Sequence, residues 1–244
     1  MGTDQDRAKG QVRGRVWDAL MEARAVRDAS VYGRIPDFIG AETAADLITR
    51  LPFWREARFV KAVPDRAQRP VRGLALAAGK VVYMAVPKLA TPRPFYRLDP
   101  AELRIAPDQA AVSKTAAEVA PTVDVEHMEP VDVIVLGSVA VNRDGVRIGK
   151  GAGYSDLEFA LLTEAGLVSP ETVVVTTVHA LQVVDEVIPA GEHDVGVDYV
   201  VTPEEIIACP APHRPQGLYW DRLPPEKITA IPALRTRQAA RNSR

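Results

Sequence analysis

The densest group of chemically useful residues lies between Arg147 and Asp156. There Gly149-Lys150-Gly151-Ala152-Gly153 is preceded by Arg147 and followed by Tyr154-Ser155-Asp156. Glycines reach positive φ and let the backbone approach an oxyanion closely. A hydrophobic strand and a turn at Asn142-Arg143-Asp144-Gly145 lead into this run, and a helix follows it. A helix N-terminus aims free N–H groups and a positive dipole end at an anion. Lys150 and Arg147 add full positive charges. Two phosphate-binding patterns do not fit: Lys150 is followed by Gly151 rather than Ser or Thr, and Gly153 comes one residue early for G-x-G-x-x-G. The residues alone leave two readings. One is an anion loop; the other is a tight turn before a helix, since Ser155-Asp156-Leu157-Glu158 has capping-box spacing.

A second group stands at Pro189-Ala-Gly-Glu-His193-Asp194-Val-Gly-Val-Asp198, where a loop carrying His193 and Asp194 feeds a hydrophobic strand. A carboxylate at such a junction can hold Mg²⁺ together with Asp156, because Mg²⁺ is commonly bound by one or two carboxylates plus substrate phosphates. An Asx-type turn at Asp194 is the competing reading. The histidines at 127, 179, 193 and 213 show no i, i+4 pairing and no accompanying cysteines, which disfavours zinc. Neither Ser138 nor Ser155 lies in a G-x-S-x-G nucleophile elbow.

Elements must hold these groups in place. Apolar spacing predicts helices over 11–28 and 41–50, with Gly14 loosening the start of the first. Short β-branched runs predict strands over 58–62, 71–77 and 80–85, the last two joined at Ala78-Gly79 as in a hairpin. The proline-rich stretch 86–107 reads as an irregular crossing loop. Strands are expected over 131–136, 172–178 and 195–202. A helix over 154–165 ends at Gly166, and Pro203 opens a short one over 204–208. Strands alternating with helices predict an α/β fold of three layers, a mainly parallel sheet covered on both faces. No linker divides the chain, so residues 1–234 read as one domain and 235–244 as a basic, flexible tail.

Composition agrees with this reading. The 244 residues are 47% hydrophobic and 25% charged with a formal net charge of −2, near the average of globular domains. That charge excludes nucleic-acid affinity driven by the chain as a whole. The longest nearly apolar run, 131–141, contains Asp132 and is too short for a membrane span of roughly 20 residues. The charged N-terminus leads into no signal core. Cys209 is the single cysteine; it reads as a packing residue, and its isolation fits a cytoplasmic protein.

Together the two groups resemble the 5-formyltetrahydrofolate cyclo-ligase (methenyltetrahydrofolate synthetase) family. That family carries a G-x-G-x-G-Y-Y-D loop and, some way downstream, P-x-x-x-H-D-x-x-V-D. Here the counterparts are Gly149 to Asp156 and Pro189 to Asp198, and the family's opening K-x-x-L-R is matched by Lys9-Gly-Gln-Val12-Arg13. Gly153-Tyr-Ser-Asp-Leu-Glu-Phe-Ala160 and Arg214-Pro-Gln-Gly-Leu-Tyr-Trp220 resemble most the branch of methenyltetrahydrofolate synthase domain-containing proteins. The resemblance implies a cyclo-ligase fold of the NagB/RpiA-like kind. It implies an ATP- and Mg²⁺-dependent enzyme that phosphorylates the formyl oxygen of 5-formyltetrahydrofolate and closes the ring to 5,10-methenyltetrahydrofolate. ATP would meet Lys9, Arg13, Arg147, Gly149, Lys150, Gly151, Gly153, Tyr154 and Ser155. Lys150 and Tyr154 would be catalytic, with Lys150 nearest the transferring phosphoryl group, and Asp156 and Asp194 would hold Mg²⁺.

The departures are specific. Ser155 replaces the second tyrosine and Leu157 the following arginine. The loop that supplies a folate-contacting glutamate has no counterpart; Tyr83 to Phe95 stands there instead. Arg93, Phe95 and Tyr96 either meet an anionic ligand or simply pack. Two alternatives follow: the same fold with another substrate, or a non-catalytic nucleotide- or RNA-binding protein using Arg235, Arg237, Arg241 and Arg244. The expected partner is a reduced folate or other small molecule; no membrane is expected, and nucleic acid only through the basic tail.

Overall fold

The computed structural model describes residues 4–210 and 212–242. Helix α1 (Asp4–Glu22) buries Val12, Val16 and Leu20, one stripe at i, i+4 and i+8. It starts earlier than the spacing predicts, because Gly10 and Gly14 face open space where a missing side chain leaves no gap. Helices α2 (Ala41–Thr49) and α3 (Pro52–Glu56) lead to strand β1 (Phe59–Ala62). Residues 71–77 are helical rather than a strand. Helix α4 (Arg69–Ala77) has Pro70 in its first turn and buries Val71, Arg72, Ala75 and Leu76. It links β1 to β2 (Val81–Ala85), and these two strands are parallel, an arrangement no hairpin can join. Gly79, at φ +76°, ends α4 instead of turning a hairpin.

The proline-rich stretch holds a strand of its own, β3 (Phe95–Leu98), antiparallel to β2. Short helices α5 (Pro107–Ala110) and α6 (Ser113–Val119) and strand β4 (Thr122–Val123) follow. Then come β5 (Val133–Leu136) and the hairpin of β6 (Ala140–Asn142) and β7 (Arg147–Ile148). Helix α7 (Tyr154–Glu164), β8 (Val173–Thr177), β9 (Val183–Val184) and β10 (Tyr199–Val201) come next. The helix expected over 204–208 is replaced by strand β11 (Ile206–Ala208), antiparallel to β10 at the sheet edge. Pro203 thus opens a turn, not a helix. Helices α8 (Pro225–Ala230) and α9 (Pro232–Asn242) close the described chain.

The main sheet has the order β11-β10-β8-β5-β1-β2-β3-β4, parallel from β10 to β2 and antiparallel toward both edges. Helices cover both of its faces, the three-layer α/β arrangement. On one side α1, α2, α3 and α4 pack with Val60, Val82, Val133 and Val175. On the other, α7, α8 and α9 pack with Tyr83, Ile134, Val174 and Val200. Strand direction of travel reverses between β1 and β5: β1 is followed by β2 on one side, β5 by β8 on the other. In such sheets the connections leaving the two carboxyl ends diverge and open a crevice suited to ligands.

Residues 235–242, expected to be flexible, belong to α9, which buries Leu234 and pairs Arg237 with Glu126 and Glu164. Arg241 lies over the Trp220 ring. Arg244 lies outside the described residues. Cys209 is half-buried, and burial pushes its thiol up to about 11. Among the described residues no helix is long and apolar enough to cross a membrane.

Candidate active site

A cavity of about 760 Å³ opens where the chain leaves β1 and β5, at Val63-Pro64-Asp65 and Gly137. Its size falls within the roughly 300–1,000 Å³ of small-molecule sites. All the residues expected at the site line it: Lys9, Arg13, Arg147, Gly149, Lys150, Gly151, Gly153, Tyr154, Ser155, Asp156 and Asp194. Residues far apart in sequence meet there because α1 lies across the β6–β7 hairpin and the loop before β10.

The glycine loop takes its shape from φ values of +102° at Gly151 and +67° at Gly153, which side-chain-bearing residues rarely adopt. Gly153 is the N-cap of α7, with no side-chain cap. The capping box expected of Ser155 and Glu158 therefore does not form. Glu158 turns inward and pairs with Lys61 of β1 in the buried interior. Burial holds the Glu158 carboxyl above the ordinary value, against the opposing pull of Lys61.

Basic residues hold this loop. Lys9 and Arg13, one turn apart on α1, share a face. Arg13 Nε donates to Gly149 O at 2.7 Å, and burial holds the guanidinium below its ordinary value. Lys9 Nζ donates to Asp194 Oδ2 at 2.5 Å. The buried Arg147 donates to Asp156 Oδ1 at 3.3 Å, to Gly137 O at 3.1 Å and to Ser138 Oγ at 3.3 Å. Lys150, half-exposed, reaches Asp65 Oδ1 at 3.3 Å.

Asp156 is tied to the segment that carries Asp194. Asp156 Oδ1 accepts from the Val195 amide at 3.1 Å, immediately after Asp194. Asp194 Oδ2 accepts from Gly191 N at 2.6 Å, a bond back to the residue three before it rather than the forward bond of the Asx-type turn expected there. Lys9 Nζ and Gly191 N share Asp194 Oδ2, whereas His193 Nε2 lies 3.8 Å from Asp194 Oδ1. No group of three or more His, Cys, Asp or Glu gathers for a metal among the described residues. Two hard carboxylates suit Mg²⁺, which keeps several waters and shares substrate phosphates, better than a metal needing a full protein cage.

Several cavity residues escape sequence reasoning. Asp65 follows a strand end; Arg72, buried in α4, donates to the carbonyls of Val63 and Asp65 and fixes that turn, with burial lowering its guanidinium to about 10. Lys88, at φ +60°, lines the cavity from the stretch after β2. Phe95 is in the core on one face of the sheet and Tyr96 packs against the core on the other, so packing explains both; neither these two nor Arg93 lines the cavity. The segment 217–227 adds Leu218, Tyr219, Arg222 and Lys227. The likeness over Arg214 to Trp220 was the one signal pointing there.

The sequence model of the 5-formyltetrahydrofolate cyclo-ligase family matches residues 5–203. The chain is 38% identical over 244 residues to the methenyltetrahydrofolate synthase domain-containing protein of Mus musculus, covering 96% of this chain and 64% of that protein. Against the Homo sapiens protein of the same description it is 36% identical over 241 residues, 95% and 62% of the two chains. The chain thus spans less than two thirds of the length of these curated relatives. Among solved structures, the 5,10-methenyltetrahydrofolate synthetase of Aquifex aeolicus shares the fold, with a TM-score of 0.53 at 21% identity over 88% of this chain and 99% of that one.

Proposed function

Since this chain belongs to the 5-formyltetrahydrofolate cyclo-ligase family, we propose that it catalyses the ATP-dependent closure of 5-formyltetrahydrofolate to 5,10-methenyltetrahydrofolate. The observation that carries this is the meeting of Lys9, Arg13, Lys150, Asp156 and Asp194 with the glycine loop at one cavity. The loop N–H groups, Arg13 and Lys150 bind the polyphosphate of ATP, with Tyr154 beside them. The formyl oxygen attacks the γ-phosphorus and ADP leaves. Nitrogen 10 then bonds to the activated formyl carbon and gives its proton to solvent, phosphate departs with the former formyl oxygen, and the methenyl bridge remains. No covalent enzyme intermediate is needed, so the work is positioning and stabilisation of phosphoryl charge. Asp156 and Asp194 would hold Mg²⁺, which supplies further neutralisation of phosphate charge when bound. We take residues 1–234 to act as one unit and the protein to work in the cytoplasm.

The test is the absorbance of methenyltetrahydrofolate formed by the purified protein from ATP, Mg²⁺ and 5-formyltetrahydrofolate. No product from protein that binds ATP defeats the proposal. A second reading keeps ATP and changes the acceptor; the stretch presenting Lys88 to the cavity favours it, because the folate-contacting glutamate has no counterpart there. ATP binding without methenyl product is its signature.

Lys150→Ala is expected to lower turnover about 10²-fold, the effect typical of losing one transition-state charge partner. Stability should barely move, since a half-exposed ion pair such as Lys150–Asp65 is worth about 0–1 kcal/mol. Steady-state kinetics beside a thermal melt separates the two. Truncation before Arg235 keeps Leu234 and every cavity residue. Turnover should stay within about twofold, and loss of the surface pairs of Arg237, each about 0.2–1 kcal/mol, should lower the melting temperature by only a few degrees. RNA retention that disappears with those residues, in a protein that never turns over, would instead support the nucleic-acid reading.

A further inference from the structure

The segment beyond β11 completes the cavity wall although it lies outside residues 5–203 matched by the family. Its helix α8 sets Lys227 directly on the glycine loop. Lys227 Nζ donates to Ala152 O at 2.7 Å and sits 5.6 Å from the centre of the Tyr154 ring. A Cβ at Gly153 would stand 3.2 Å from the same nitrogen, so the amine occupies the space the glycine leaves.

The other lysines of the site that face the two metal-type carboxylates and Asp65 are in direct ion pairs: Lys9 with Asp194 and Lys150 with Asp65. Lys227 differs. Among the described residues no carboxylate oxygen lies within the 4.0 Å of an ion pair from its Nζ; Asp156 and Glu226 act on it only at longer range. An ammonium has three N–H donors, and one is spent on Ala152 O. Removal from water is costly for a charge without a partner, and burial accordingly holds this amine below its ordinary value. Three residues earlier in the loop Arg13 does the same job, bonding Gly149 O. Two cations from the two ends of the chain therefore grip one phosphate-type loop through its carbonyls.

Resting on the nucleotide reading of that loop, we infer that Lys227 is an anion-positioning residue of the cavity, taking a phosphate oxygen of the bound ligand alongside Arg13. It adds a binding charge from a segment outside the family's matched residues. Because its contact is with charge rather than with the base or sugar, its effect scales with the number of phosphates.

The experiment titrates inorganic triphosphate, ATP and adenosine into the full chain by calorimetry, using wild type, K227M, K227Q and K227R. K227M keeps the aliphatic stem, and K227Q keeps a donor for Ala152 O while losing the charge. The inference expects K227M and K227Q to weaken triphosphate and ATP at least tenfold, adenosine to be unaffected, and K227R to recover most of the loss. Equal triphosphate affinity in wild type and K227Q overturns it, as does a wild type that takes no triphosphate. Should K227M fail to fold, K227Q and K227R decide. Failure of the cyclo-ligase reading looks different: triphosphate is bound through Lys227, yet no methenyl product forms. Product formation unchanged in K227Q, with unchanged affinity, sinks the Lys227 role alone.

Discussion

Asp156→Asn is expected to cut methenyltetrahydrofolate formation about 10³-fold, the upper end of what loss of one preorganised electrostatic partner costs, and to leave the protein folded. Asparagine keeps an oxygen to accept from Arg147 and from the Val195 amide, the two contacts that Asp156 Oδ1 now makes. What it removes is the negative charge proposed to hold Mg²⁺ beside phosphate. Alanine is the poorer variant, because it would also leave the buried Arg147 and the Val195 amide without the oxygen that accepts from both, and a buried donor left unmet adds its own cost. Raising Mg²⁺ should recover part of the Asp156→Asn rate. Turnover within threefold of wild type at low Mg²⁺ would remove Asp156 from the metal site.

The second large effect concerns stability. Lys61 is 0% exposed at the centre of the sheet, and among the described residues its one ion-pair partner is Glu158, 4% exposed. Lys61→Met leaves a carboxyl buried with no cation against it, and breaking such a pair costs about 3–5 kcal/mol. Out of a total that is commonly about 5–15 kcal/mol, that is a large share. The sign with pH follows from burial, which raises the folded Glu158 above its ordinary 4.5. A carboxyl raised in the folded state is unpenalised while protonated in both states, and loses stability as pH climbs from 4.5 through its folded value. The deficit of Lys61→Met should therefore shrink as pH falls toward 4.5. Lys61→Met combined with Glu158→Leu should recover most of the loss. Chemical denaturation of the four proteins at two pH values measures both, and additive losses would show that the pair is not coupled.

The glycine loop and the shared face of Lys9 and Arg13 were legible because their chemistry is local: spacing alone sets which groups share a turn or a helix face. Two elements were misread for a common reason. Val71 to Ala77 and Glu204 to Ala208 are short, with Arg72 in one and two glutamates in the other, and over so few residues periodicity does not separate strand from helix. Topology decides instead. Parallel β1 and β2 demand a crossover, which makes the first a helix, and the free edge of β10 accepts the second as a strand. The Lys61–Glu158 pair joins residues 97 apart, and Glu158 also sits at a spacing that suits a helix cap. No local pattern distinguishes an inward-facing glutamate from a capping one. Lys227 lay hidden for the same cause, since the proline-rich segment before it carries no periodicity to fix its path.

One feature of the cavity bears on when it can exist at all. Lys9 reaches Asp194 across 185 residues and Lys227 reaches Ala152 across 75. Chains emerge from synthesis N-terminus first and fold by units, so the α/β sheet can assemble while one wall of the pocket is still unmade. Contacts of such separation also carry the largest loop-closure cost and form late. A ligand that recognises only the finished pocket then acts as a clasp on both helical ends, stabilising the folded chain by RT ln(1 + [L]/Kd). Hydrogen exchange in α1 and α8 should slow together when it binds, although the two helices are remote in the chain.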